Sequence, residues 1–506
     1  MITLNLSRLA TAANGQLLCH ESLNTFTIDN LITDSRAFSL QENGKNLPET
    51  SNVAFLALKG PSFDGHRFIQ QVIERGCQVL IVDHKIDGLH NKKIAQIIVD
   101  DTRIALGEIS AYVKQQVAPK TIGITGSSGK TTVKEMLAAI LSRLGNVLAT
   151  NGNFNNDIGV PLTLLRLTEN DEFAVIEMGA NHLGEIAYTA ALVKPDIAII
   201  NNIAAAHLEG FGDLSGVANA KGEIFSGLGT NGIALYNKDT QQTDKWQWRL
   251  TDKKVRTFSC AATETDSAPA DFYSSHVYLD ETGCASFDLH TPLGQCAIKL
   301  NVPGKHNVCN AVAASAAAIE CGVSLQDIRL GLAEMMPVKG RTNIHHLAIK
   351  NSNQKINLID DTYNANVESI KAAISLLAGY SGSQILILGD MGELGSDAKH
   401  YHQEVGSFAK AQGIHTLLTL GELSQHTHDA FVQNTQANSK HFSERSELSS
   451  YLFSLLSPDN KTQESNINIL VKGSRSAHME NVVEDIINWH SNHSNNNTCQ
   501  ASKDNT

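Results

Sequence analysis

Apolar residues fall along this chain in two alternating rhythms. Short unbroken runs bounded by polar turns, among them "CQVLIVD", "KTIGIT", "FAVIEMG", "DIAIINNI", "SQILILGD" and "NINILVKG", predict buried parallel strands. Between them lie stretches with apolar positions three and four apart, such as "TRIALGEISAYVKQQ" and "TTVKEMLAAILSRLG", which predict amphipathic helices. A glycine closes the second of these, as a helix end requires. Between about 250 and 302 the period drops to two, as in "SSHVYLDETGCASFDLH", predicting antiparallel strands around a turn. The alternation predicts an α/β protein of three domains, over residues 1–112, 113–335 and 336–490. Residues 491–506 are polar and low in complexity and read as a disordered tail.

Composition narrows the class. A chain of 506 residues exceeds what one core supports, and 42% apolar with 18% charged residues is ordinary for a globular protein. A net charge of −12 argues against nucleic acid or anionic membrane as a partner, because basic faces supply that affinity. No apolar run is long enough to span a membrane, and "MITLNLSRLATAANG" lacks the charged start and apolar stretch of a signal peptide, so the expected location is cytoplasmic. The eight cysteines are scattered without a C-x-x-C pair and are expected to be buried or free thiols.

The stretch "GITGSSGKTT" follows a predicted strand and opens a helix, the context of a phosphate-binding loop. Its candidate ATP-binding residues are Gly126, Ser127, Ser128, Gly129, Lys130, Thr131 and Thr132. Glycines let N–H groups turn toward an anion, and the helix start adds partial positive charge. Lys130 suits the outer phosphates, and the Thr131 hydroxyl suits Mg²⁺. The loop is shorter than the usual G-x-x-x-x-G-K-[ST], since Gly126 stands only three positions before Gly129. Glu177 and His207 lie at the ends of consecutive strands beside this loop, where a carboxylate and an imidazole suit one or two divalent cations. Taken singly, each is equally at home as an ion-pair or structural residue.

The strings "GITGSSGKTT", "TNGNFNNDIGVPLTLL", "EMGANHLGEI", "NNIAAAHLEGFG" and "AKGEIF" resemble the central domain of the Mur ligases, which build the peptide of peptidoglycan and use the shorter loop. The resemblance continues through "VPGKHNVCNAVAA", "KGRTN", "DDTYNANVESIKAAI", "LGDMGELGSDAKHYHQEVG" and "VKGSRSAHMENVV". It implies a central P-loop-type parallel-sheet ATPase domain, an N-terminal domain for a UDP-sugar and a Rossmann-like C-terminal domain for the incoming dipeptide. The implied activity is ATP-dependent amide formation through an acyl phosphate. D-alanyl-D-alanine is the implied acceptor, UDP-N-acetylmuramoyl-tripeptide the donor, and a monomer the acting species.

The same resemblance implies roles by position. Thr131 and Glu177 hold a first Mg²⁺, and His207 with a carbamylated Lys221 holds a second; Lys130, Lys221 and His207 are the catalytic candidates. Asn307 and Asn310 face adenine, while Arg341 and Asp361 bring the third domain to the nucleotide. Asp34, Ser35, Arg36 and Lys59 are expected at the UDP-sugar, and Asn153, Asn155, Asn156, Tyr363 and Asn364 near the reaction centre. Asp390, Glu393, Ser474 and Arg475 are candidates for the dipeptide, since "GDMGELG" and "GSRS" each follow a predicted strand. Val367 stands where the related sequences carry proline after "YNAN". A P-loop kinase or transport ATPase, and a nucleotide-binding regulator without catalysis, remain open alternatives.

Overall fold

The computed structural model describes residues 1–37, 52–60, 62–89, 93–260, 269–348, 355–433, 438–456 and 466–495. The N-terminal unit is built on a five-stranded sheet between Gln16 and Ile98, four of whose strands run parallel. The helix Thr102–Val117 packs its apolar stripe (Ala105, Leu106, Ile109, Val113) into a core shared with the next unit. It runs through the expected boundary at 112/113 and ends at Ala118, which takes a left-handed φ of 50°. We therefore propose the first break at Ala118 rather than residue 112.

The central sheet has nine strands. They are β1 (Lys120–Thr125), β2 (Val147–Ala149), β3 (Phe173–Glu177), β4 (Ile197–Ile200), β5 (Ile233–Asn237), β6 (Lys254–Ser259), β7 (Phe272–Leu279), β8 (Cys284–Thr291) and β9 (Gly294–Pro303). Their spatial order is β9-β8-β7-β6-β5-β4-β1-β3-β2. Strands β1 to β7 pair in parallel, and β7, β8 and β9 form the antiparallel extension expected from the period-two stretch. β1 therefore lies between β4 and β3, and the loops leaving all three open on one sheet edge, where ligands of such sheets bind. Helix α1 (Lys130–Leu141) buries Val133, Met136, Leu137 and Ile140 against α2 (His306–Glu320) and the strands below.

The third unit repeats the theme with six strands: β10 (Asn343–Ala348), β11 (Lys355–Asp361), β12 (Ser383–Gly389), β13 (Thr416–Leu420), β14 (Asn438–Phe442) and β15 (Asn466–Lys472). The order is β10-β11-β15-β12-β13-β14, all parallel except the edge strand β10. The last helix runs Glu480–Asn495, past the expected end of this unit at residue 490, so the first five residues of the expected tail are helical. The rest, 496–506, lies outside the described residues. No described helix is long and apolar enough to cross a membrane.

Helix α3 (Val367–Ala378) starts at Val367, not at a proline. Asn366 caps it instead: its side chain accepts from the Ser369 N–H (2.9 Å), and the Ser369 hydroxyl accepts from the Asn366 N–H (3.0 Å). The same Asn366 amide donates to the Ser127 carbonyl in the central unit (3.2 Å). Asn366→Ala should cost about 1 kcal/mol through the lost cap, lowering the thermal midpoint of the third unit by about 2–4 °C. An unchanged midpoint in calorimetry would show that the helix start is held by other contacts.

Candidate active site

β1 delivers the chain to Gly126, whose φ of 156° and that of Gly129 (75°) fold the loop back before α1. A Cβ on Gly129 would collide with the side chains of Asn310 and Asn201. The glycine is thus required both by conformation and by the walls around it. Those walls form a chain of amides. Asn201 donates to the Ser128 carbonyl and to Asn310 Oδ1 (both 3.0 Å), Asn310 donates to Asn307 Oδ1 (2.9 Å), and Asn307 donates to the Pro303 carbonyl (2.7 Å). Asn307 and Asn310 therefore brace the loop as well as facing the cavity beside it. Asn202 takes the Ser127 N–H on its carbonyl (3.1 Å) and the Ser128 N–H on Oδ1 (2.9 Å). With those two groups engaged, an anion must be met by the later N–H groups, where α1 begins and its dipole favours negative charge.

A cavity of about 850 Å³ opens in front of the loop. Ser127, Ser128, Gly129, Lys130 and Thr132 line it from the central unit, and Arg341, Asp361, Tyr363, Asn364 and Asn366 from the third. Arg341 donates from Nη2 to the Thr131 hydroxyl (2.9 Å) and lies 4.3 Å from the Tyr363 ring centre, a cation–π contact that holds its plane. Lys130 curls back to the Gly126 carbonyl (2.8 Å). Burial lowers its pKa and the Arg341 charge adds to this, while Glu177 opposes both.

Behind the loop the charges are buried. Glu177, at the end of β3, accepts from the Thr131 hydroxyl on Oε2 (2.9 Å) and from Asn155 Nδ2 on Oε1 (2.8 Å). Lys221 is 1% exposed, and its Nζ meets no hydrogen-bond partner. Burial first, and then the neighbouring Lys130 charge, pull its pKa down to about 7, against the pull of Glu177, Glu185 and Glu223. His207 sits at a left-handed φ of 56°, and its Nδ1 contacts the carboxylate of Glu393 from the third unit. That contact holds the Glu393 carboxyl below its ordinary range.

The other expected residues are distributed more widely. Asn156 Oδ1 accepts from the Gly159 N–H at the start of a short helix (2.8 Å), and Asn153 is exposed on the same loop. Asp390 spends its carboxylate on the N–H groups of Glu422 (3.1 Å) and Ser424 (2.7 Å), so it shapes a neighbouring loop. Ser474 Oγ bonds Ser476 Oγ (3.0 Å), and Arg475 pairs with Glu480 (3.1 Å). In the first unit Asp34 pairs with Arg36 (2.7 Å), Lys59 with Asp83 (3.3 Å), and buried Ser35 accepts at its carbonyl from Arg75 (3.2 Å). His66 links Asp64 (2.7 Å) to Asp83 (3.1 Å) beside Lys59. None of these lines the cavity.

Four features carry no local sequence signal: Asn201, Asn202, the Asn366 contact and the pairing of Cys260 with Cys309. That disulfide, with Cα atoms 5.2 Å apart, forms part of the cavity wall and corrects the expectation of free thiols for these two. The end of β6 and the first turn of α2 meet there, 49 residues apart in sequence. Cys19, Cys77, Cys284, Cys296 and Cys321 are free, and Cys499 lies outside the described residues.

The buried ammonium predicts a pH signature. Unfolded, Lys221 keeps its proton up to about pH 10.5; folded, it loses it near 7, so the unfolded state binds more protons between these values and stability rises with pH across them. In CO₂-depleted buffer, Lys221→Met should be more stable than the native protein, most of all below pH 7, with the gap closing toward pH 10.5. Calorimetric midpoints that differ by the same amount at pH 6 and pH 9 would contradict this placement of the charge.

Residues 124–318 match the Mur ligase middle domain, and residues 341–475 match the Mur ligase, glutamate ligase domain. A UDP-N-acetylmuramoyl-tripeptide–D-alanyl-D-alanine ligase from Escherichia coli (strain K12) is 44% identical over 483 residues, 96% of this chain and 98% of that one. The enzyme of the same name from Bacillus subtilis (strain 168) is 35% identical over 86% of this chain and 90% of its own. A crystal structure of MurF from Acinetobacter baumannii superposes with a TM-score of 0.84 at 36% identity, covering 96% of this chain and 99% of that one. A MurF ligase from Thermotoga maritima in complex with ADP has the same fold, with a TM-score of 0.76 at 23% identity over 92% of this chain and 98% of that one. With both family domains matched and a relative of this identity aligned nearly end to end, the chain belongs to the Mur ligase family.

Proposed function

We propose that this chain joins D-alanyl-D-alanine to UDP-N-acetylmuramoyl-tripeptide with cleavage of ATP to ADP and phosphate. The observation that carries the reading is the convergence of a phosphate loop, Arg341 and Asn366 from two α/β units on one cavity. The end-to-end similarity to ligases named for this reaction supports the substrates.

The chemistry follows from what a carboxylate lacks. Its oxygen is a poor leaving group, so the tripeptide carboxylate attacks the γ-phosphorus, the bond to ADP breaks, and an acyl phosphate forms. The dipeptide amine then attacks the acyl carbon, phosphate departs from the tetrahedral adduct, and the amine gives up its proton. The nucleotide, the UDP-linked donor and the acyl phosphate are anionic, so the protein's task is to hold charges of one sign together and to exclude water. Lys130 leaves the Gly126 carbonyl for the β- and γ-phosphates, and Arg341 approaches the same phosphates from the third unit. Asn307 and Asn310 face the base along the wall they brace.

The residues fit divalent cations. Thr131 Oγ1 and Glu177 Oε2, 2.9 Å apart, are the hard oxygen donors Mg²⁺ prefers. Glu393 fixes the His207 ring through Nδ1, leaving Nε2 as its ligand atom. Lys221 offers a buried Nζ without a hydrogen-bond partner, about half of it neutral at pH 7. Such an amine attacks the carbon of CO₂ with release of a proton, giving a carbamate that replaces a repelling cation with an oxygen donor. Thr131 and Glu177 would hold one Mg²⁺, and His207 with carbamylated Lys221 the other. When bound, the ions supply charge neutralisation at the phosphates. Glu393 belongs, in this reading, to the His207 support rather than to the dipeptide; Ser474 and Arg475 remain the acceptor candidates. Asp34, Ser35, Arg36 and Lys59 remain those for the UDP group, whose phosphates would displace Asp34 and Asp83 from their cations.

The test is phosphate release from ATP with each substrate omitted in turn. Release that needs both substrates, with the amide-linked product detected by mass, supports the ligase. Release without the dipeptide would mean a kinase or ATPase instead. Lys221→Ala should lower the rate at least ~10-fold, as loss of a metal's supporting group does.

A further inference from the structure

Lys472 is the last residue of β15, and its side chain is 4% exposed. Its backbone stands opposite Asp361, the last residue of β11. Its Nζ pairs with Asp361 Oδ2 at 2.7 Å and donates to the carbonyls of Asn364 (2.9 Å) and Asp361 (3.3 Å). An ammonium has three protons, and three oxygens surround this one. A buried lysine satisfied so completely has a fixed position, and it fixes what it touches.

What it touches leads to the phosphates. The other oxygen of Asp361, Oδ1, accepts from the N–H of Thr342 (3.2 Å). Thr342 holds a left-handed φ of 52°, uncommon for a β-branched residue, and Gly340 two residues earlier has a φ of 72°. Arg341 lies between these two, so its direction is set by how they are held. The Gly340 carbonyl is held in turn by the Tyr363 N–H (3.0 Å), from the same 361–364 segment that Lys472 gathers. On its far side Lys472 is followed directly by Gly473, Ser474 and Arg475, the turn that carries acceptor candidates.

We propose that Lys472 is a positioning residue for the ligase reaction: through Asp361 and Thr342 it aims Arg341 at the phosphate loop, and through its own strand end it ties that aim to the 473–475 turn. Asp361 acts in this account by orienting the linker, since both its oxygens are engaged. The inference rests on the ligase reading for the reaction, but not for its test, because nucleotide affinity can be measured without an acceptor.

The experiment is a double-mutant cycle on the full chain, read by titration calorimetry with AMP-PNP and Mg²⁺ and, where turnover is present, by kcat and the KM for ATP. Lys472→Gln should weaken AMP-PNP about tenfold and lower kcat with it, and Lys472→Arg should restore most of both. In an Arg341→Ala background, Lys472→Gln should change affinity less than about twofold, because the residue it aims is gone. The paired variant Lys472→Met with Asp361→Asn leaves no buried charge alone and should weaken AMP-PNP as Arg341→Ala does. Equal losses from Lys472→Gln in the native and Arg341→Ala backgrounds would overturn the proposal, as would native affinity in the paired variant. Absence of ligase turnover with the AMP-PNP cycle as expected would remove the ligase reading and leave the positioning role standing.

Discussion

The contact on which the site depends is that of Arg341 with the Thr131 hydroxyl, a hydrogen bond between two α/β units. Neither unit alone supplies all the groups that line the cavity. The central one supplies the loop, the helix start and the buried Glu177, and the third supplies the guanidinium that faces them. A phosphorylated carboxylate is readily hydrolysed, and walls drawn from two units are a means of keeping water from it. The contact of Glu393 with His207 and that of Asn366 with the Ser127 carbonyl lie across the same junction.

Burial gives these charges their character. Thr131, Glu177 and Lys221 are each at most 5% exposed, and their interactions are therefore stronger than at a surface. Such a cluster is costly for folding on its own. Lys221 shows the cost directly, in a pKa drawn down to about 7 and an Nζ without a hydrogen-bond partner. The Lys130 charge close to Lys221 adds to that cost.

Much of this was legible along the chain. The run "KTIGIT", the glycines and the helix behind them form one local unit, so strand, loop and α1 could be read from period and turn chemistry alone. The switch to period two likewise marked β7–β9. What stayed hidden was convergence. Asn201, Asn310 and Asn307 form one chain of amides from two segments more than a hundred positions apart, and nothing in either segment announces the other. Glu393, a polar residue in a glycine-rich loop, reads as ligand-facing until the fold brings His207 to it. Asp390 reads the same way, but its carboxylate is taken up by main-chain N–H groups. The expected break at 112/113 falls inside Thr102–Val117, a helix that packs into a core shared by two units.

The central claim is that acyl activation occurs in a site completed by the third unit, and positional isotope exchange tests it most directly. ATP carrying ¹⁸O in the β–γ bridge is incubated with Mg²⁺ and the UDP-linked tripeptide, with no dipeptide present. Reversible acyl-phosphate formation should scramble the label into the non-bridging β-positions, and Arg341→Ala should slow the scrambling at least ~10-fold while still binding ATP. Scrambling at the native rate in Arg341→Ala would contradict the account, as would its absence in the native enzyme.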